Sequence, residues 1–331
     1  MVKIQIIPWS NGIGDLIRHE PLLRSIKEKY PDSHISVFCQ RNQEVILKLP
    51  FVDQVFSMWC SRCDYIYNCN FSSNSAILEQ ILLDKGKYKE LIGFNSFDIN
   101  KDLINEFSKL YNWEDGFDMV YQRRKNYKLN LSELLCKICN IYQEDIKCRL
   151  YFSEENDFFA KQYIEKIKKP LVVVHSTSEG HIGINVSYTD YKISKLLEKN
   201  NKDWQSEKFI ELINRIKNDF HIVLIGAKKD EYILKEISNK TSCAISIDSL
   251  FNNFALIKHA KYFIGIDSSP AHVALTCDIP SLLIICDILF YNCYPIKSKV
   301  KHNYISKPET VKTISIDSVY ESFLELQKNN Q

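Results

Sequence analysis

The sequence predicts an α/β protein: two doubly wound domains, each a parallel sheet covered by helices on both faces, facing each other across a cleft. Three observations predict it. Short runs rich in Val, Ile and Leu recur through the chain, among them "KIQII", "LVVV", "HIVLI" and "SLLII". Amphipathic helical runs separate them, and Gly or Pro marks several of the joins. Strands buried on both faces of a parallel sheet read as near-continuous apolar runs of this kind.

The first unit is "KIQIIPW", the turn "SNGIGD", the helical run "LIRHEPLLRSIKEKY" with Leu16, Leu22, Leu23 and Ile26 on one face, and the strand "HISVFC". Pro31-Asp32 marks the turn into that second strand. "QRNQEVILKLP" reads as a further helix and "VDQVFSM" as a third short strand. From about Tyr65 to Cys148 the pattern loosens, mixing "ELIGF" with the helical "DLINEFSKLY" and "LSELLCKICNIY". "NDFFAKQYIEKIKK" is another helix, and Pro170 then opens a repeat of the same grammar. The boundary falls near Lys166 to Pro170, giving domains 1–166 and 167–331. The second half alternates cleanly: "LVVVH" strand, "SEKFIELINRIKNDF" helix, "HIVLIGA" strand, "KKDEYILKEIS" helix, "CAISIDS" strand, "FNNFALIKHA" helix, "KYFIGID" strand, "SSPAHVALTCD" helix and "PSLLIIC" strand. "ISIDSVYESFLELQ" closes the chain as a strand remnant and a terminal helix, which can pack back on the amino-terminal domain.

The chain has 331 residues, 45% hydrophobic and 25% charged, the composition of a globular protein. A formal net charge of +2 is too mild to imply a nucleic-acid partner. The amino terminus is too short in its apolar run for a signal peptide, and no apolar segment is long enough to span a bilayer. The expectation is a cytoplasmic protein, with peripheral contact to the cytosolic membrane face left open. Local basic runs occur at "KGKYK" and at Arg123, Arg124, Lys125 and Lys128. Such runs are solvated faces or surfaces that meet an anionic acceptor or lipid headgroups. Eleven cysteines include two CxxC pairs, Cys60/Cys63 and Cys136/Cys139. The second lies in an apolar helical pattern where cysteine serves as a small buried hydrophobe, so no metal site is expected.

Ligands in doubly wound folds sit beyond the carboxyl ends of the strands, and the polar residues collect there. Gly12 and Gly14 allow a tight turn or close approach of backbone to ligand, and Asp15 follows either as an N-cap or as a general base facing the cleft. The spacing is not that of a dinucleotide fingerprint. "HSTSEG", directly after the "LVVV" strand, offers hydroxyls and N–H groups to phosphate oxygens. Lys202, beside Trp204 at a helix entrance, is an ammonium able to pair with phosphate, and Ser206 suits the N-cap behind it. Asp230 and Glu231 either compensate a helix dipole or contact ribose hydroxyls. Asp267, Ser268, Ser269 and His272 share one strand-to-helix junction, with Pro270 suited to the first helical turn. Capping needs one residue and four polar groups gather, so a diphosphate at this helix start is the functional alternative.

With these motifs in order, the chain resembles the heptosyltransferases, glycosyltransferase family 9. The stretches are "GIGDLIRHEPLLRSIKEKYPDSHISVF" with "LPFVDQVF", "VVHSTSEG", "KDWQSEKFIELI", "HIVLIGAKKDE" and "AKYFIGIDSSPAHVALTCDIPSLLII"; residues 60 to 165 carry little of it. The resemblance implies two Rossmann-like domains in the GT-B arrangement, the first on the acceptor side and the second binding the nucleotide sugar. It implies Asp15 as the base that activates the acceptor hydroxyl and Lys202 on the donor diphosphate. Thr177 and Ser178 fall in the phosphate-binding turn, Glu231 near the ribose, and Asp267, Ser268, Ser269 and His272 around the diphosphate and sugar. Ser269 stands where the family has glycine, and Gln205 where it has proline after tryptophan.

The expected function is an inverting transferase moving a sugar, ADP-heptose being the implied donor, to a lipopolysaccharide-core or related glycan or glycolipid acceptor, with no cofactor. No D-x-D sequence occurs, so lysine, hydroxyls and helix dipoles are expected to do the work of a metal. The alternatives are a transferase or epimerase using another nucleotide sugar, and a non-catalytic nucleotide-sugar-binding protein.

Overall fold

A computed structural model describes residues 1–58, 63–70, 81, 84, 86–94, 130–177, 202–286, 298–307 and 310–331. The described chain divides into two compact units, the first ending at Tyr151 and the second starting at Phe152.

The first unit is built on a five-stranded parallel sheet in the order β3-β2-β1-β4-β5. The strands are β1 (Lys3–Ile7), β2 (His34–Phe38), β3 (Gln54–Phe56), β4 (Tyr65–Asn68) and β5 (Glu90–Gly93). Ile4, Ile6, Ile35 and Ile66 are fully buried in it. The run expected as one helix after β1 is two: α1 (Ile13–Arg18) and α2 (Glu20–Lys29), with His19 ending one and starting the other. Pro21, near the start of α2, explains the break, since proline removes an N–H donor and suits a first turn but not an interior. α3 (Gln43–Leu47) precedes β3.

α4 (Leu131–Ile138) opens with a capping box between Asn130 and Glu133 and buries Leu134, Leu135 and Cys136. The segment after it is fastened to α2 by a buried charge cluster. Arg24 donates to Glu20 Oε1 at 2.8 Å and to the carbonyls of Asp145 and Lys147 at 3.0 and 3.2 Å. The Arg149 N–H donates to Glu20 Oε2 at 3.0 Å, and the Tyr151 hydroxyl to Oε1 at 3.3 Å. Burial raises the Glu20 pKa even against these partners.

The second unit has a six-stranded parallel sheet in the order β11-β10-β9-β6-β7-β8. These are β6 (Leu171–His175), β7 (His221–Ile225), β8 (Ala244–Ser246), β9 (Tyr262–Ile266), β10 (Ser281–Cys286) and β11 (Asn303–Lys307). Every residue of β6, β9 and β10 is buried, as the apolar runs require. α6 (Ser206–Ile216) buries Phe209, Leu212, Ile213 and Ile216, one stripe of a 3.6-residue period. α7 (Glu231–Thr241), α8 (Leu250–Lys258), α9 (Ser269–Thr276) and α10 (Ile316–Asn329) complete the cover. α10 buries Val319, Phe323 and Leu326, and Phe323 meets Phe220 and Tyr262 edge-on.

Four further elements depart from expectation. α5 (Glu154–Glu165) belongs to the second unit, ahead of the boundary expected near Lys166, because Asn156 bonds Asn252 at 2.8 Å and Lys258 donates to Asp157 at 2.8 Å. No strand begins the last segment: the Ser315 hydroxyl caps α10 by accepting from the Ser318 N–H. β4 and β11 are additional strands.

Candidate active site

Both sheets reverse their winding beside their first strand, and the carboxyl ends on either side of the reversal are where ligands enter such folds. In the second unit the reversal lies between β6 and β9, joined in register at His175 and Gly265. His175, Ser176 and Thr177 lie at the end of one strand and Asp267 and Ser268 follow the end of the other. Ser268 stands at the N-cap of α9 in extended backbone, yet its hydroxyl makes no cap bond. It donates to the Ile266 carbonyl at 3.0 Å and lies 3.1 Å from His175 Nδ1. With the hydroxyl proton committed to Ile266, the imidazole is the donor, so Nδ1 carries its proton. Burial and the nearby Lys229 lower the His175 pKa to about 4, keeping the ring neutral.

Lys202 forms an ion pair with Asp267, both side chains mostly buried. The position of the ammonium follows from Trp204, which is fully buried. Trp204 donates from Nε1 to the Ile314 carbonyl at 3.0 Å and meets Phe209 edge-on at 5.1 Å between centroids. The tryptophan is an anchor, and the lysine two residues before it is carried to the end of β9. Gln205 then turns the chain with φ 53 and ψ 133, a left-handed conformation that proline cannot adopt. Gln205 is therefore the N-cap position of α6, and Ser206, expected to cap, is its first helical residue.

The remaining second-unit candidates divide. Thr177 is 5% exposed beside this cluster, and the Ser176 hydroxyl is buried with no hydrogen-bond partner among the described residues. His272, which the resemblance puts around the diphosphate and sugar, is buried in α9 at 6% exposure. Ser269 is the first residue of α9. Glu231 starts α7 and pairs with Lys228 at 2.5 Å and Lys235 at 2.8 Å, contacts that lower its pKa to about 2. Asp230 accepts from the Ala227 N–H at 3.1 Å. Ser178, Arg123, Arg124, Lys125 and Lys128 lie outside the described residues.

In the first unit Asp15 is the third residue of α1, not its cap. The Ser10 hydroxyl donates to Oδ2 and the Arg18 guanidinium to Oδ1. The Gly12 N–H donates to Ser10 Oγ at 3.0 Å. Gly12 has an ordinary φ of −69, so its role is space: a Cβ would sit 3.1 Å from Asp15 Oδ2. Gly14 lies inside α1. The ring of His19 is 1% exposed and bonds to the Trp9 and Asp15 backbones. Burial lowers its pKa to about 4.

Sequence reasoning missed Ser10, Arg18 and His19, and it read "HSTSEG" for its hydroxyls and N–H groups without giving the His175 ring a role. The Asp15–Arg18 pair carries an i,i+3 signal of opposite charge, but the other contacts are set by the fold. Cys136 and Cys139 are buried at 3% and 1%, and burial pushes the Cys136 thiol up to about 12. Among the described residues no three metal-ligating side chains cluster, and no helix is long and apolar enough to cross a membrane.

Solved structures share this architecture. A family 9 glycosyltransferase from Veillonella parvula DSM 2008 matches with a TM-score of 0.68 and 12% identity over 98% of this chain and 97% of its own. ADP-heptose lps heptosyltransferase II of E. coli matches with a TM-score of 0.65 and 17% identity over 98% of each chain. E. coli heptosyltransferase WaaC, solved with ADP, gives 0.58 and 13% over 99% of each. These likenesses establish the GT-B type of α/β fold. No curated protein matches the chain by sequence. The sequence profile of glycosyltransferase family 9 (heptosyltransferase) spans residues 128–300, which takes in the β6 and β9 ends, Lys202 and the start of α9. A profile covering more than half of the chain, on a fold of this type, makes the protein a glycosyltransferase belonging to family 9.

Proposed function

We propose that the protein is an inverting, metal-independent transferase that moves a sugar, heptose from ADP-heptose, to a lipopolysaccharide-core or related surface-glycan acceptor. The observation that carries this reading is the Lys202–Asp267 pair at the winding reversal of the second sheet. An ammonium has three donors, so Lys202 can keep Asp267 and still meet a diphosphate oxygen. The buried Ser176 hydroxyl adds support, because leaving such a group unpaired costs roughly 1–3 kcal/mol that a polar ligand would recover. The names of the solved relatives, one with ADP and one for ADP-heptose, favour an adenine nucleotide.

In this reading the second unit holds the donor, with Thr177, Ser178, Ser268, Ser269 and the α9 start around the phosphates, His272 supporting that helix, and Glu231 toward the ribose. The first unit supplies Asp15. The acceptor oxygen attacks the anomeric carbon, the bond to the diphosphate breaks with inversion, and Asp15 takes the hydroxyl proton. A carboxylate is a weak base toward a resting alcohol, so that transfer is late and coupled to attack. Charge on the departing nucleoside diphosphate falls to Lys202 and to the helix-start N–H groups. Arg123, Arg124, Lys125 and Lys128 receive an anionic acceptor, held at the cytosolic membrane face.

A thermal-shift panel of ADP-, UDP- and GDP-sugars tests the reading, since a ligand that binds the folded state raises its melting temperature. ADP-heptose should stabilise the wild type, and Lys202→Met should weaken that binding by about tenfold or more. Asp15→Asn should bind the donor normally and fail to transfer it. No stabilisation by any nucleoside diphosphate, or undiminished binding by the Lys202 variant, would sink the proposal. Isomerisation of the sugar without acceptor would make the protein an epimerase.

A further inference from the structure

We infer that His19 is the positioning residue for Asp15, acting as a neutral imidazole fixed in one tautomer; the inference rests on the reading of Asp15 as the base. The Trp9 backbone N–H lies 2.8 Å from His19 Nε2. A backbone N–H only donates, so Nε2 is the acceptor and carries no proton. The other ring nitrogen, Nδ1, lies 2.7 Å from the Asp15 carbonyl oxygen. A carbonyl only accepts, so Nδ1 carries the proton. Both assignments agree, and the 1% exposure of the residue leaves water little access to either bond.

The ring thereby ties the chain leaving β1 to the main chain of Asp15 itself. Two of the groups around the carboxylate follow from those two anchors. Ser10, which donates to Oδ2, is the neighbour of Trp9; Arg18, which donates to Oδ1, is the neighbour of His19. The Arg18 carbonyl is held from the other side by the Ser132 hydroxyl at 2.8 Å. His19 also sits at the junction of α1 and α2, but its side chain caps neither helix. The helix break accounts for the backbone at this position and leaves the imidazole unexplained. A group with one donor and one acceptor held rigidly on the same ring does account for it.

The tautomer and the positioning role are tested separately. In the intact protein labelled with 15N-histidine, His19 should show an unprotonated Nε2 and a protonated Nδ1 throughout the neutral range; a ring protonated at Nε2 would overturn the inference. For the role, His19→Leu and His19→Gln are compared on nucleoside diphosphate release from the nucleotide sugar that the wild type turns over, with ADP affinity measured beside it. His19→Leu should lower kcat by roughly 100-fold, the cost of a misplacement near 1 Å, with ADP affinity unchanged. His19→Gln should restore most of the rate, because a carboxamide presents an acceptor and a donor side by side. A folded His19→Leu variant with wild-type kcat, or a Gln variant as slow as Leu, would refute the role. Wild-type turnover by Asp15→Asn would instead remove the base assignment while leaving the tautomer result standing. If His19→Leu does not fold, the spectrum and the Gln variant still decide.

Discussion

Mild acid should loosen each unit through one sealed imidazole. His19 in the first unit and His175 in the second are 1% and 8% exposed, and burial lowers both from 6.5 to about 4. Between those values the unfolded chain takes up a proton that the folded chain refuses, so stability rises with pH and falls as pH drops. The stabilisation is whole above 6.5 and fully lost once pH has passed below the folded value. From pH 7.5 to pH 5.0 each histidine should remove about 2 kcal/mol, rising to about 3 kcal/mol near pH 4. His221, half-buried in the second unit, has its pKa lowered by burial and runs in the same direction, present in every protein compared; the carboxylates run differently. Asp64, Asp145 and Asp157, whose pKa values are lowered, give up their stabilisation only at more acidic pH, whereas Glu20, whose pKa is raised, gains stability on acidification. Urea denaturation of wild type, His19→Gln and His175→Gln at both pH values isolates the histidine contribution. Each variant should flatten the pH response of its own unit by about 2 kcal/mol and leave the other unit unchanged. Variants that keep the wild-type pH response, or a wild type more stable at pH 5.0, would refute the buried neutral state.

Gln205→Gly should raise stability by about 1 kcal/mol, since glycine accepts the left-handed φ of 53, while Gln205→Pro should lower it by about 3 kcal/mol although proline is the residue of the resembling motif; thermal melts distinguish the two. Gly12→Ala should cut turnover by about tenfold with ADP affinity retained, through the contact between its Cβ and the Asp15 carboxylate, read by kcat beside calorimetric ADP titration. Arg24→Met should cost about 3–5 kcal/mol in urea unfolding because it strands the Glu20 carboxylate, whereas Glu20→Gln with Arg24→Met together should recover part of the loss.

What could be read in the chain was what repeats locally. The fully buried strands β6, β9 and β10 announce themselves because both faces need apolar residues. β11 did not, since "NYISK" is an edge strand with no fully buried residue, and its pattern resembles a loop. The α1–α2 break hid within an apolar period that continues across it. At the site, Asp267 and Ser268 stood out because polar groups crowd one strand end, and Asp15 because it follows a glycine-bearing turn. Which residues pair with which was invisible for a common reason: Lys202 reaches Asp267 across 65 positions and His175 reaches Ser268 across 93. Such pairings are products of strand order, which local periodicity does not encode.

The strap from Asp145 to Tyr151 limits how the molecule can be dissected. Its contacts with Glu20 and Arg24 are bonds of the amino-terminal unit to itself, made by residues far along the chain. A recombinant fragment cut after β5 would expose that carboxylate and guanidinium without their backbone partners and lose α4 as well. An amino-terminal half intended for acceptor binding in isolation has to run through Tyr151, and the complementary half has to begin at Phe152 to keep α5.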